Sequence, residues 1–155
     1  MLIQTLTKGP EKVFVVVKNG AGATIDKGQV VVWAMDTVND GIDVEDMSAA
    51  KYPLVAGLAD ADIADGDYGL VQVYGLDDDA IIYTRGTATN SNIAVGDICA
   101  LSSAIEGLAA LNAGASLNLG GTNGAVPMFV CAETVESGGT NTSSTTTAKV
   151  FIRAL

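Results

Sequence analysis

Aspartates recur closely along one stretch of the sequence, "GLADADIADGDYGLVQVYG" at residues 57 to 75. Asp60, Asp62, Asp65 and Asp67 lie within eight positions, and a second acidic run at 77 to 79 follows them. Carboxylates at such spacings could serve two kinds of chemistry, either as ligands for a calcium ion or as the acid and base of a glycosidase.

The calcium hypothesis can be checked against the loop that binds this ion in EF-hand proteins. That loop places acids at alternate positions, then a glycine, then a glutamate at the twelfth position. Counting from Asp60, the twelfth residue is Val71, so the specific motif is missing. The sequence therefore predicts no metal site, and weak incidental calcium binding by the acidic loop is left open.

Enzymatic chemistry finds little support in the residue types. The chain contains no histidine, which excludes a Ser-His-Asp triad, a Cys-His dyad and a histidine zinc site. Its aspartates lie in turn sequences, and nothing around them predicts a pocket that would perturb their pKa values. No GxGxxG or Walker motif is present to hold a cofactor phosphate. We expect neither an enzyme nor a bound cofactor.

The charge balance restricts the partners. Eighteen acids and eight bases give a formal net charge of −10. Such a surface repels nucleic acid, whose binding proteins attract phosphates with basic residues, and it repels anionic membranes for the same reason. We expect no nucleic-acid partner and no membrane partner.

Short apolar runs bounded by Gly, Asp or Asn predict β-strands along most of the chain. They number about eight and lie at 13 to 17, 28 to 35, 51 to 59, 68 to 75, 80 to 86, 96 to 101, 126 to 133 and 146 to 155. In the first run, apolar residues at every position predict a strand that is covered on both faces. The fold class is therefore all-β, a single-domain barrel or sandwich over residues 1–155 with long Gly/Ser/Thr-rich loops.

Two segments and one residue pair allow more than one interpretation. Ser103 and Glu106 have capping-box spacing, so "SSAIEGLAALNAG" could form a short helix, but "EG" could equally turn a hairpin. The Ser/Thr-rich segment 137–147 precedes a strand and is expected to be an exposed loop. Cys99 and Cys131 lie in apolar surroundings, which favours buried thiols over a disulfide.

An internal repeat gives the acidic stretch a structural interpretation: "IDKGQ" at 25 to 29, "IADGD" at 63 to 67 and "IAVGD" at 93 to 97. In each, the isoleucine can anchor the turn in the core, the glycine can adopt a positive φ, and the next polar side chain can bond to nearby backbone groups. We interpret the three segments as recurring corners of one β-barrel, with chance recurrence of a short pattern in a Gly- and Asp-rich chain as the alternative. The residues that define these turns are Gly28, Gly66, Asp67, Gly96 and Asp97.

The run "GLADADIADGDYGLVQVYGL" followed by "IAVGDICALS" resembles the small β-rich decoration, or cement, proteins on the capsids of tailed bacteriophages. The resemblance covers residues 12 to 103 and is carried by Gly57, Ile63, Gly66, Asp67, Gly69, Val71, Gln72 and Gly75. It implies a barrel or sandwich that assembles as a homotrimer on the outer surface of an icosahedral head. There it would stabilise contacts between subunits of the major capsid protein, after synthesis in the host cytoplasm, and it would have no catalytic residues.

The first ten residues, "MLIQTLTKGP", suit such a role as an N-terminal arm. We expect Leu2, Ile3 and Leu6 to contact the capsid or a neighbouring protomer, although this segment could instead complete the protein's own sheet. The alternative function is a carbohydrate- or host-surface-binding β module of a virion. Against it, the candidate loop regions 36 to 50, 112 to 125 and 137 to 147 contain no aromatic residue. Trp33 and the tyrosines lie inside apolar runs, which favours core or rim packing.

Overall fold

The secondary structure consists of short strands joined by turns, seen here in a computed structural model that describes residues 11–35, 42–46, 54–84, 93–102, 107–110, 129–135 and 144–154. Nine strands lie within these ranges: β1 (Val13–Asn19), β2 (Val30–Trp33), β3 (Asp43–Asp46), β4 (Val55–Ala59), β5 (Tyr68–Thr84), β6 (Ile98–Ser102), β7 (Gly107–Ala110), β8 (Phe129–Cys131) and β9 (Ser144–Arg153). The all-β prediction is confirmed.

The first five strands close into a barrel. Their hydrogen-bonded order is β1-β3-β2-β4-β5, and β5 pairs back with β1 to complete the ring. The β1–β3 pair is parallel and the other four pairs are antiparallel. We call this ring the first barrel.

The last five strands repeat that topology. Their order is β5-β7-β6-β8-β9, and β9 pairs back with β5 to close a second ring, the second barrel. Here the β5–β7 pair is parallel and the other pairs are antiparallel. Taken in chain order, β5 to β9 therefore occupy the places of β1 to β5, and β5 belongs to both barrels.

Two hydrophobic clusters fill the molecule. One lies in the first barrel and includes Val17, Val31, Val44 and Val71. The other combines side chains of the second barrel, Phe129 among them, with residues of β2 and β4. Alternate residues of β2 and β4 thus belong to different clusters, and all of β4 and most of β2 are buried. These two strands, rather than β1, are covered on both faces.

The prediction that β1 is covered on both faces is wrong. Val17 is buried, but Phe14 and Val16 are exposed on the other side of the strand. The second barrel packs over β2 and β4, so it leaves this side of β1 uncovered. Apolar residues at all five positions from Val13 to Val17 hid the alternation.

Strand β5 joins two runs that the sequence suggested were separate. It is 17 residues long and continues through the acidic run 77 to 79, where its pairing with β9 shifts between Asp77 and Ala80. Aspartate is unfavourable in regular strands, but a β-bulge accommodates it because the bulged residues leave the ladder.

The choice between helix and hairpin after residue 102 is resolved in favour of the hairpin. Strand β6 pairs antiparallel with β7, from Ser102 opposite Gly107 to Cys99 opposite Ala110. Strand β3 lies inside the predicted loop region 36 to 50. Strand β9 starts at Ser144, so residues 144 to 147 of the predicted loop 137–147 are strand, although Thr145, Thr146 and Thr147 are exposed.

The N-terminal arm at residues 1–10, with Leu2, Ile3 and Leu6, lies outside the described residues. In the part of the chain that is described, no helix has the length and apolar character needed to cross a membrane.

Candidate interaction surface

The three repeated segments form the same corner. Gly28, Gly66 and Gly96 have φ angles of 76°, 78° and 91°, the positive values expected from the sequence. Each corner is closed by a backbone bond across the turn: Gln29 N–H to Asp26 O, Asp67 N–H to Ala64 O, and Asp97 N–H to Ala94 O, all 3.0–3.1 Å.

Each corner is also joined to a strand end by a reciprocal pair of backbone hydrogen bonds. Gly28 donates to the carbonyl of Ala59, and Ala59 donates to that of Gln29. Gly96 and Asp97 make the same two bonds with Cys131, at 2.8 Å each. Gly66 and Asp67 make them with Asn19, at 2.9 Å each. The corners therefore hold strand ends in register.

In two of the three corners, a side chain makes a further hydrogen bond to the backbone of the turn. Gln29 Oε1 accepts from Asp26 N–H, and Asp97 Oδ2 accepts from Ala94 N–H, both at 2.8 Å. These two corners occupy matching places before β2 and β6. Their isoleucines make matching isolated bridges as well, Ile25 with Ile63 and Ile93 with Val135. The repeat thus marks equivalent positions of the two barrels.

Asn19 completes the corner at residues 63 to 67, a role that was not predicted from the sequence. Its buried side chain donates to Ala23 O and Ile63 O and accepts from Ala21 N–H, each at 2.8 Å. All of these partners are backbone groups, so Asn19 fixes the path of the loop that follows β1. An asparagine before a glycine reads from sequence simply as a turn.

The acidic cluster that opened the sequence analysis connects two loops. Because Ile25 bridges Ile63, residues 19 to 29 and 60 to 67 lie side by side. Asp62 Oδ1 accepts from Lys27 N–H at 2.9 Å, and Asp65 Oδ1 accepts from Gly22 N–H at 3.0 Å. These carboxylates bond backbone groups of the opposite loop.

The run 77 to 79 forms the bulge in β5. Asp77 is buried, and its carboxylate accepts from Asp79 N–H at 2.9 Å. Asp79 pairs with Lys27 at 2.8 Å on the surface. Burial raises the pKa of Asp77, and burial likewise raises that of Asp46, whose carboxylate accepts from Gln29. Within the described ranges, no three acidic or cysteine side chains are grouped so as to hold a metal ion.

The exposed side of β1 and β5 carries an apolar surface, which we call the β1/β5 face and define by Phe14, Val16, Tyr68 and Leu70. Val16 lies opposite Leu70, and these side chains are 60% and 44% exposed. Tyr68 is 64% exposed, opposite Lys18. The tyrosine was expected in the core or the rim, and it lies instead on an open strand surface.

A second apolar row crosses the outside of the second barrel. Ile98 lies opposite Val130, Val130 opposite Phe151, and Phe151 opposite Leu76. Phe151 also packs edge-on against Tyr74, with ring centroids 5.3 Å apart. Leu76 and Leu70 lie on the same strand, so β5 contributes to both this row and the β1/β5 face.

One sequence signal could have revealed the β1/β5 face. Lys12 and Lys18 are spaced so that they lie on the same side of the strand as Phe14 and Val16. A lysine at each end of this row indicates that this side of the strand faces solvent. The exposure of Tyr68 and Leu70 follows from their pairing with β1, which no local pattern specifies.

Comparisons with protein-family models and with curated proteins find no match for this chain. The capsid resemblance therefore stays a hypothesis that has to be argued from the surface itself.

Proposed function

We propose that this chain is a structural virion protein that binds the outer surface of an icosahedral phage head, acts as a homotrimer, and stabilises contacts between major capsid protein subunits. The observation that carries the proposal is the β1/β5 face, a cluster of aromatic and aliphatic side chains exposed on one strand pair. In a monomer, contiguous exposed apolar groups of this kind mark a surface that another protein covers.

The composition of the face suits such a contact. Aromatic residues are enriched in the buried parts of protein interfaces, and charged residues are depleted there. Phe14, Val16, Tyr68 and Leu70 carry no charge, while Lys12 and Lys18 border the row. Elsewhere the acidic surface, with a net charge of −10, would discourage unwanted association between particles.

The arm extends this hypothesis. Residues 1–10 lead directly into β1, so their apolar side chains Leu2, Ile3 and Leu6 are covalently tied to the strand that carries Phe14 and Val16. We propose that the arm and the β1/β5 face contact the capsid or a neighbouring protomer together.

The first test is the copy number of the chain relative to the major capsid protein in purified particles, measured by quantitative mass spectrometry. A decoration role predicts copies in a fixed, near-stoichiometric ratio. Absence from particles contradicts the proposal, and a few copies per particle would place the protein in the tail.

Substitution then tests the face. Val16→Lys should reduce occupancy on particles at limiting protein concentration by about tenfold or more, because a lysine would be buried at the contact. Val95→Lys is the matched control, since Val95 is 65% exposed in a corner of the second barrel. Equal loss in both variants would show that added charge, not the face, is responsible.

Deleting residues 2 to 9 should reduce occupancy with the fold intact.

A carbohydrate-binding module is the second candidate, and the exposed Tyr68 ring is the observation that favours it, since sugars stack on aromatic faces. Titration of Tyr68→Ala and the unchanged chain against a glycan array separates the two functions. Glycan binding that is lost in Tyr68→Ala would favour this candidate over the capsid role.

A further inference from the structure

The two cysteines lie side by side in the second barrel. Cys99 in β6 and Cys131 in β8 are buried, and their sulfur atoms are 2.9 Å apart. Neighbouring residues fix the alignment of the two strands, with Ile98 opposite Val130 and Cys99 opposite Phe129. The cysteines are therefore diagonal neighbours across one strand pair, held by backbone bonds on both sides.

The duplicated topology shows what the equivalent positions of the first barrel contain. Strand β6 matches β2, and β8 matches β4, so Cys99 corresponds to Val31 and Cys131 to Ala59. The correspondence is exact in the corner bonds, because Cys131 bonds Gly96 and Asp97 as Ala59 bonds Gly28 and Gln29. Val31 and Ala59 are buried apolar residues of the first barrel. Packing at these positions needs no sulfur, and only the second barrel has a pair of thiols there.

We propose that Cys99 and Cys131 are a modification site, a dithiol that closes into an intramolecular disulfide when the protein meets an oxidising small-molecule disulfide. The sulfurs need to approach by less than about 1 Å to reach bonding distance. No other cysteine exists in the chain to compete. The proposal is independent of the capsid role.

The chemistry is thiol–disulfide exchange. The Cys131 thiolate attacks one sulfur of the reagent RSSR, and one RS⁻ departs with the electron pair of the broken S–S bond. The Cys99 thiolate then attacks the Cys131 sulfur and displaces the second RS⁻. Both thiol protons end on the departing groups, so the protein loses two hydrogens and the reagent becomes two RSH.

The order of attack follows from the hydrogen bond between the thiols. The bond from the Cys99 thiol lowers the pKa of Cys131, and the pKa of Cys99 is raised by the same contact and by burial. Both sulfurs are shielded from solvent, so the reagent reaches Cys131 when β8 opens locally. That strand has only three residues. We expect oxidation to be slow and to accelerate in mild denaturant.

The disulfide would close a loop that runs along the chain from Cys99 in β6 to Cys131 in β8. A loop closed in this way loses conformational entropy in the unfolded chain, which stabilises the fold. For a chain of this length, the usual gain corresponds to a rise in Tm of about 5–12 °C.

The experiment incubates the purified full chain with oxidised glutathione, with and without mild urea, and follows its intact mass and Tm. The expected product is a monomer lighter by two hydrogens, with no thiol reactive to maleimide after denaturation and a Tm raised by that amount. Reduction with dithiothreitol should return the original mass and Tm.

The control variant is Cys99→Val with Cys131→Ala, which places the residues of the first barrel at the equivalent positions. It should fold, with a Tm that glutathione does not change. Three outcomes overturn the proposal: the wild-type chain keeps both thiols, it carries glutathione on each cysteine, or it forms disulfide-linked dimers. A Tm shift of equal size in the control would overturn the proposed stabilisation.

Discussion

Two separate features of the structure, the backbone conformation and close packing, require glycine at position 28. Its φ of 76° is unfavourable for any residue with a Cβ, and the same holds for Gly96 at the equivalent corner. Gly28 also packs against β5, where Ile81 N–H donates to its carbonyl. A Cβ on Gly28 would lie 2.0 Å from the backbone oxygen of Asp79, whereas one on Gly96 would meet no atom of the described residues within 4 Å.

Alanine substitution should separate the two constraints. We expect Gly96→Ala to lower the free energy of unfolding by about 1–2 kcal/mol, from backbone strain alone. Gly28→Ala should lower it by about 4 kcal/mol or more, because the bulge of β5 must also move. Urea unfolding followed by circular dichroism measures both. Equal losses would mean that the contact with Asp79 contributes nothing.

Asp77 gives the fold a pH dependence with a definite sign. Burial raises its pKa in the folded state, so the folded protein holds this proton more tightly than the unfolded chain does. The stabilising effect of the proton is present at low pH. It is lost as pH rises from the ordinary aspartate value through the raised folded pKa.

Asp77→Asn should remove the loss of stability that accompanies rising pH. An amide stays neutral, and its oxygen can still accept from Asp79 N–H. Relative to the unchanged chain, the variant should gain stability as pH rises from 3 to 7. Urea unfolding across that range measures the gain, and Asp78→Asn, at the exposed neighbouring position, is the control. A constant difference between Asp77→Asn and the unchanged chain at every pH would contradict the assignment.

At the scale of elements, burial depends on what lies outside each strand. β1 is apolar from Val13 to Val17 and β2 is apolar throughout, yet β1 has an open side and β2 does not. The second barrel packs on β2 and β4 and not on β1. Hydrophobic runs predicted both β1 and β2 as strands, but they could not assign the outer faces.

Strand length was also decided by context. The sequence predicted two separate strands on either side of the three aspartates at 77 to 79. In the structure they form one strand, because the Asp77 carboxylate accepts from Asp79 N–H within the bulge and Asp79 forms an ion pair with Lys27. Strand β7 became a strand because it pairs with both β5 and β6. Its local sequence allowed a helix equally well.

For the whole molecule, the shared strand and shared cluster connect the two barrels. β5 runs through both rings, and side chains of β2 and β4 pack in the same cluster as Phe129. The second cluster extends from the second barrel to side chains of β2 and β4, so the second barrel has no core that is separate from the first barrel. We therefore expect the two barrels to unfold together, as the single-domain prediction requires.

The fluorescence of Trp33, the only tryptophan, follows the unfolding of the first barrel, because Trp33 lies in β2. Phe129→Ala should lower stability by about 3–5 kcal/mol and shift the Trp33 fluorescence transition and the circular dichroism transition equally. Val71→Ala, in the core of the first barrel, should also shift both. A Trp33 transition that Phe129→Ala leaves in place would show that the barrels unfold separately.

The sequence by itself determined the all-β class, the approximate number of strands and the three corners, because these depend on local alternation and on glycines that adopt positive φ. It also located the three glycines with positive φ, Gly28, Gly66 and Gly96, and the corner side chain of Asp97. Only the tertiary structure decided that the corners mark a duplicated barrel, that Phe14, Val16, Tyr68 and Leu70 form one open face, and that Cys99 meets Cys131. Each of these depends on which distant strands pair, and pairing is set by the packing of the whole chain rather than by neighbouring residues.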